Sequence, residues 1–265
     1  LTQEMCVEEN YRLDANGIAD RVEEITPESL YAYYERAFAE DELDLYVIGD
    51  IEEEHAMDVV NRYFQFGERK PESVSYINHQ VQEAKELQEI QDIKQGKLNI
   101  GYRTNITYKD PDYFALQMFN GIFGAFSHSK LFINVREKAS LAYYAASRLE
   151  SHKGLLMVMS GIDNKNYEQA VTIIKEQMEA MKRGDFTEQE IEQTKAIIKN
   201  QLLETIDTSR GLTEVLYHNV VADQDITLDE WLRRVDEVTR EDIIACGEKI
   251  VLDTIYFLHG MEVAE

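Results

Sequence analysis

Apolar and polar positions alternate with changing period along the chain, and each change marks an element. Between Asp20 and Asp50 the pattern predicts a helix and then a strand. Thr26-Pro27-Glu28 has the marks of a helix start, a capping threonine followed by proline at the first helical position. Leu43-Asp44-Leu45-Tyr46-Val47-Ile48 alternates as a strand does and is closed by Gly49-Asp50. Ile51, Met57, Val60 and Tyr63 then recur at helical spacing. From Gly67 to Gln95 a proline and many charges interrupt the periodicity, which predicts a linker running into an edge strand or short helix.

The signals sharpen from Lys97 onward. Leu98 to Thr104 alternates as a strand, and Asp110-Pro111-Asp112 opens a helix carrying Leu116, Met118 and Phe119. A glycine-spaced turn, Asn120 to Phe126, leads to a helix expected from Ser127, its N-cap, to Lys138. Strands are expected at Leu141 to Leu149 and Leu155 to Ile162, turned by Lys153-Gly154. Amphipathic helices should occupy Asn166 to Arg183, Thr187 to Ile206, Leu228 to Glu237 and Arg240 to Lys249, before a last strand at Thr254 to Leu258.

One stretch occurs twice. VEEITPESL, from Val22 to Leu30, matches VDEVTREDI, from Val235 to Ile243, at every position in identity or character except Pro27 against Arg240. Both copies run through a helix into a strand, LDLYVIG and DTIYFLHG, which points to a duplication. The copies are offset by 213 residues, Val22 to Val235. With the second unit starting near Lys97, the first would start about 116 residues before Leu1. The expected organisation is therefore the C-terminal part of a first domain at 1–66, a linker at 67–96, and a complete second domain at 97–265.

Composition narrows the functional classes. With 51 acidic against 27 basic residues and a formal net charge of −24, the chain lacks the clustered cations that displace counterions from nucleic acid. An anionic membrane surface would repel it for the same reason. No run approaches the ~18 apolar residues that span a bilayer. The opening LTQEMCVEEN has neither a basic nor an apolar region and does not read as a signal peptide. Two distant cysteines, Cys6 and Cys246, suggest a reducing, cytoplasmic setting and buried small side chains.

Candidate chemistry is sparse. No two of the six histidines lie within five residues of each other, so no helical zinc pair is present. Glu52-Glu53-Glu54-His55 ends like the motif HxxEH, but Ile51 stands where its first histidine belongs. Ser127-His128-Ser129 are adjacent, and neighbours on a helix do not face each other. Gly121 and Gly124 lack the companions of a phosphate loop. Tyr31, Tyr33 and Tyr34 fall in a helix and are expected to pack partly on core. Arg136 and Tyr143 remain, the first closing a helix and the second opening a strand. An arginine there complements the helix dipole and a tyrosine suits a strand, so the residues alone leave a structural and a functional reading open.

The run GIFGAFSHSKLFINVREKASLAYYAASRLESHKGLLMVMSGI, followed by Gly184-Asp185-Phe186-Thr187-Glu188-Gln189-Glu190-Ile191, resembles the second domain of the pitrilysin/insulysin-type zinc metallopeptidases. That family includes mitochondrial processing peptidase and the respiratory-complex core proteins. QGKLNIGYRT through NVREKASLAYY looks most similar to the bacterial YmfF-like branch. The resemblance implies an α+β fold: two homologous sandwich domains, each a mostly antiparallel sheet with helices packed on it, closing as a clamshell on a peptide.

In the family, two histidines and a glutamate of the first domain hold zinc, and the glutamate of HxxEH activates water. Arg136 and Tyr143 match the arginine and tyrosine that reach across from the second domain to the substrate backbone and the oxyanion. A fixed cation and a phenol aimed at that oxygen favour the transition state over the ground state. Tyr144, the next strand residue, should face the other way. Within this chain no metal or other cofactor is expected, zinc being implied only for the intact enzyme or its partner. The expected partners are a peptide substrate and a homologous peptidase domain or paralogous subunit. A non-catalytic pseudo-peptidase or structural subunit working beside an active paralogue is the alternative, and a peptide-binding chaperone a third reading.

Overall fold

The computed structural model describes residues 1–71 and 78–261, so residues 72–77 of the expected linker lie outside the described residues. A single helical turn, α1 (Thr2–Met5), is followed by a 3₁₀ turn at Asn10–Arg12 and by helices α2 (Ala19–Glu23), α3 (Pro27–Glu40) and α4 (Glu53–Tyr63). β1 (Lys85–Ile90), β2 (Gly96–Arg103) and α5 (Tyr113–Asn120) come next. Two π-helical segments, Gly121–Ala125 and Phe132–Lys138, separate α5 from the hairpin β3 (Ala142–Glu150) and β4 (Leu155–Ile162). The chain closes with α6 (Tyr167–Lys182), α7 (Glu188–Ile206), α8 (Ser209–Val221), α9 (Leu228–Glu237), α10 (Arg240–Glu248) and β5 (Val251–His259).

The five strands form one sheet in the order β1-β5-β2-β4-β3. β1 runs parallel to β5, while β2 is antiparallel to β4 and β5, and β3 to β4. This is the expected α+β arrangement, mostly antiparallel with helices on the sheet. Alternation along β4 divides two cores. Leu156, Val158 and Ile162 join the main core with Leu98, Ile100, Phe119, Ile174 and Ile243. Leu155 and Met157 face the other side and meet Met5 and Cys6 of the N-terminal segment. A strand's side chains point alternately to its two faces, so a single strand supplies both contacts.

Both copies of the repeated stretch begin a helix in the same way. Thr26 Oγ1 accepts from the Ser29 N–H at 3.2 Å, with Pro27 at the first helical position. Thr239 Oγ1 accepts from the Asp242 N–H at the same 3.2 Å. In each case the third residue's side chain returns a bond to the capping residue's N–H, closing a capping box. The copies then diverge. The second helix leads into β5, but Leu43–Ile48 forms no ladder among the described residues. Alternation nominates a strand, and only a neighbouring segment that pairs its N–H and C=O groups makes one.

Three further expectations are corrected. The glycine-spaced turn is a continuation of α5 as a π-helix, with Gly121 still at φ −59°, ψ −46°. The next helix starts later than Ser127: Ser129 Oγ accepts from the Phe132 N–H at 3.4 Å. Between α7 and α9 lies α8, which the pattern reading left without an element. Its signal is Thr208, whose side chain accepts from the Gly211 N–H at 3.1 Å. α8 buries only Gly211 and Asn219, so its apolar positions do not carry the usual periodic stripe into the core.

Candidate functional site at the sheet edge

Arg136 and Tyr143 stand on consecutive elements at the β3 edge of the sheet. Arg136 lies in the second π-helical segment, where the Ala139 N–H reaches the Asn134 carbonyl at 3.2 Å. The Leu141 N–H then bonds to the Val135 carbonyl at 3.1 Å, and Ser140 takes a positive φ of 50° to make the turn. Tight closure of this kind brings the end of the helix directly against the start of β3. Asn166 Nδ2 donates to the Leu141 carbonyl at 3.4 Å and ties the turn to the segment before α6.

The guanidinium of Arg136 is exposed. It lies 4.6 Å from the centre of the Phe132 ring and holds a 3.8 Å ion pair with Glu137. That pair is long and solvated, so it restrains the arginine little. The Phe132 ring carries it from below, four residues back on the same segment.

Tyr143 owes its position to a fault in the ladder. Ala142 pairs with Ile162, but Tyr144 pairs with Gly161, where regular register would give it Ser160. Two residues therefore span the interval of one, and Tyr143 is the extra residue of a β-bulge. The bulge interrupts the two-residue alternation on which the expectation that Tyr144 faces away from Tyr143 rests. Tyr143 is 67 % exposed and Tyr144 44 %. Tyr144 lies over Gly161, where an added Cβ would come within 2.5 Å of its ring. The Tyr143 hydroxyl makes no hydrogen bond among the described residues.

Beneath this edge the first π-helical segment is packed tightly. A Cβ on Gly124 would meet Ser147 Oγ at 2.4 Å and Leu131 at 2.7 Å. Ser147 Oγ donates to Asn120 Oδ1 at 2.7 Å, a buried bond that fastens β3 to the end of α5. His128 is used structurally: its Nε2 lies 2.8 Å from Thr194 Oγ1 on α7, and its ring stacks on Phe126. It has no bond to Ser127 or Ser129.

The donor set does not fit a zinc site. Among the described residues no group of three or more His, Cys, Asp or Glu side chains is placed to hold a metal ion. His79 is paired with Glu9, His152 with His218, and His128 with Thr194. His55 lies exposed in the acidic first turn of α4. Both cysteines are free and buried, and burial pushes their thiols up to about 11 for Cys6 and about 12 for Cys246. Neither is a thiolate at neutral pH.

The pattern reading missed a second charged cluster. Arg103, at the end of β2, is 2 % exposed. Its Nε donates to Asp253 at 3.0 Å, and its Nη2 donates to Glu9 at 2.6 Å and to the Met5 carbonyl at 2.8 Å. His79 Nε2 lies 3.4 Å from the other Glu9 oxygen. The arginine thus joins two strands of the sheet to the N-terminal segment. Its partners lie 94 and 150 residues away, so no local spacing reveals them.

With the geometry in hand, comparison with known proteins places the chain. Residues 24–198 match the family described as Peptidase M16 inactive domain. The chain belongs to this family. The probable inactive metalloprotease YmfF of Bacillus subtilis (strain 168) is 58 % identical over 264 residues, which is 99 % of this chain and 62 % of that protein. The crystal structure of a conserved protein from Enterococcus faecalis V583 superposes with a TM-score of 0.90 at 37 % identity, over 100 % of this chain and 63 % of that one. A protease from Helicobacter pylori shares the fold at 16 % identity, with a TM-score of 0.76 over 94 % of this chain and 62 % of its own.

The family expected from the sequence is the family found. The chain spans a little over three fifths of the length of these relatives. The family description and the name of the Bacillus relative both carry the word "inactive". No helix among the described residues is long and apolar enough to cross a membrane.

Proposed function

We propose that this chain is the substrate-clamping, non-catalytic part of an M16 assembly, in which Arg136 and Tyr143 contact a peptide held at a metal site on a homologous domain or paralogous subunit. The observation that carries this reading is the state of the pair itself. Among the described residues the hydroxyl of Tyr143 has no partner, its residue is thrust from the ladder by a bulge, and the neighbouring guanidinium is held by a solvated carboxylate and a ring. Bulges and π-helical insertions are features that re-aim side chains, and here one of each falls on the two residues in question.

The chemistry suits a peptide backbone. A carbonyl oxygen accepts from a guanidinium and a phenol, and more strongly as it gains negative charge. Placing these donors on a different body from the metal would couple their action to closure.

The domain division 1–66, 67–96 and 97–265 belongs to the same proposal. From Ile18 to Phe66 no residue is buried, although Val22, Leu30, Tyr34, Phe38, Leu45 and Val47 are large and apolar. Exposed apolar surface on this scale is the mark of an interface. In the proposal it packs on the remainder of a first peptidase-like domain, which would also supply the ladder partner for Leu43–Ile48.

The test is binding of a fluorescein-labelled, unstructured peptide of mixed sequence, followed by anisotropy with the 265-residue chain. Binding by the native chain, weakened by Arg136→Ala and by Tyr143→Phe, supports the clamp. Equal binding by all three rejects it in favour of a structural subunit.

A further inference from the structure

His152, in the turn between β3 and β4, and His218, near the end of α8, meet nitrogen to nitrogen. Nε2 of His152 lies 2.8 Å from Nδ1 of His218, with ring centres 5.1 Å apart and planes 15° from parallel. The Tyr108 ring stacks on both, at 5.6 Å and 26° to His152 and at 5.7 Å and 17° to His218. Its hydroxyl donates to Asn219 Oδ1 at 3.1 Å, and Asn219 Nδ2 donates to the Ile226 carbonyl at 2.8 Å. One face of α8 is thereby fastened to the hairpin and to the loop after β2.

We infer that the His152–His218 bond is a pH-sensitive latch, which holds the end of α8 against the β3–β4 hairpin at neutral pH and releases it in mildly acidic solution. The bond needs one ring to donate N–H and the other to accept it. Neutral rings satisfy this, and a pair sharing one added proton still does. Once both are imidazolium, two N–H groups and two positive charges face each other at 2.8 Å, and the contact cannot persist. Release should therefore follow the second proton.

The surroundings set the direction. Burial lowers the affinity of both rings for a proton. For His152 the charges of His218 and Lys153 lower it further, and Glu214, one turn before His218, opposes the effect there. His218 is exposed and His152 half-buried, with the Tyr108 ring stacked on both. Lys109, on the loop that carries Tyr108, and Asp223, just past α8, line the adjoining cleft together with Glu8 and His79. Glu9 is committed to Arg103. Both folded values lie below the ordinary 6.5, so the latch contributes fully above about pH 6.5 and is lost as pH falls through the lowered values.

α8 is the element such a latch can govern. It buries only Gly211 and Asn219, whereas α7 beside it buries Ile191, Thr194, Ile198 and Leu202. Elements with few buried contacts open locally at small cost. Release of α8 would widen the cleft of about 480 Å³ that His152, Lys153, Val221 and Asp223 share with Tyr11 and His79.

Hydrogen exchange of the 265-residue chain at pH 7.5 and pH 5.0, corrected for intrinsic rates, tests this directly. Protection of residues 209–221 should fall at least tenfold more on acidification than that of residues 167–182. In His152→Gln, which does not titrate, the differential loss should disappear. Should that variant fail to fold, the imidazole ¹⁵N shifts of the native protein serve, with the two rings titrating as a coupled pair below 6.5. Unchanged protection of α8 at pH 5.0, a full loss retained in the variant, or two independent titrations at ordinary values would each overturn the latch.

Discussion

Tyr144 stands opposite Gly161 on β4, and Tyr143, between it and Ala142, has no opposite number. One extra residue in an edge strand thus decides which phenol packs over the glycine. A regular strand would have seated Tyr143 against Gly161 and turned Tyr144 to the other face. The bulge leaves both rings exposed, one packed over a glycine and the other with its hydroxyl unbonded among the described residues.

Arg136→Ala should weaken peptide binding by tenfold or more, since a charge-assisted hydrogen bond contributes about 1.5–3 kcal/mol. Stability should change by less than about 0.5 kcal/mol, because the exposed guanidinium makes no buried contact. Anisotropy and thermal melting, run on the same samples, separate the two effects. A large fall in Tm would assign the arginine to structure.

Arg103→Met should be far more damaging to the fold. It removes the cation shared by Glu9 and Asp253 and leaves two carboxylates in a buried setting, a loss of about 3–5 kcal/mol for a broken buried pair. Denaturant unfolding checks this, and proteolysis within residues 1–13 should accelerate as the N-terminal segment detaches from β2 and β5.

The same cluster sets an acid limit. Burial pushes the Glu9 carboxyl up, but hydrogen bonding and charge from Arg103, with His79, more than reverse this and hold it below its ordinary 4.5. A depressed carboxylate stabilises above its unfolded value and stops doing so as pH falls through its folded value. Stability measured by urea unfolding should therefore show a Glu9-dependent loss only below about pH 4.5, absent in Glu9→Gln. The histidine latch involves neither Glu9 nor Arg103, so Glu9→Gln leaves it in place and the two are separable.

Gly124→Ala should cost about 1–3 kcal/mol by overpacking, since the new methyl would enter the space of Ser147 Oγ and Leu131. It should also disturb the Ser147–Asn120 bond that fastens β3 to α5. A lowered Tm with weakened peptide binding would show that the first π-helical segment supports the edge.

Much of this architecture was legible in the sequence, and the exceptions have physical causes. The threonine cap at Thr26 announced its helix, because a cap is a local contact, and Thr187 and Thr239 cap theirs in the same way. The β3–β4 hairpin was equally plain from its alternation and Lys153-Gly154. Leu43–Ile48 shows the limit of alternation, since pairing depends on a segment elsewhere. α8 was missed because its apolar positions face outward. The bulge at Tyr143 and the π-helical turn at Arg136 add one residue to a regular element, and nothing local in REKASLAYY encodes that insertion. Arg103 is further still from local reading, as its partners come from both ends of the chain. Arg136 and Tyr143 themselves came from resemblance, and the structure adds where they stand.

The most direct test of the central claim joins metal content to hydrolysis. The 265-residue chain is dialysed with excess zinc, passed over a desalting column, assayed for zinc, and mixed with an internally quenched peptide library with and without chelator. The account predicts less than a tenth of a zinc ion per chain and no chelator-sensitive cleavage, alongside peptide binding that depends on Arg136 and Tyr143. One tightly held zinc per chain with cleavage abolished by chelator would contradict it, and would place a catalytic centre on residues that the donor geometry does not bring together.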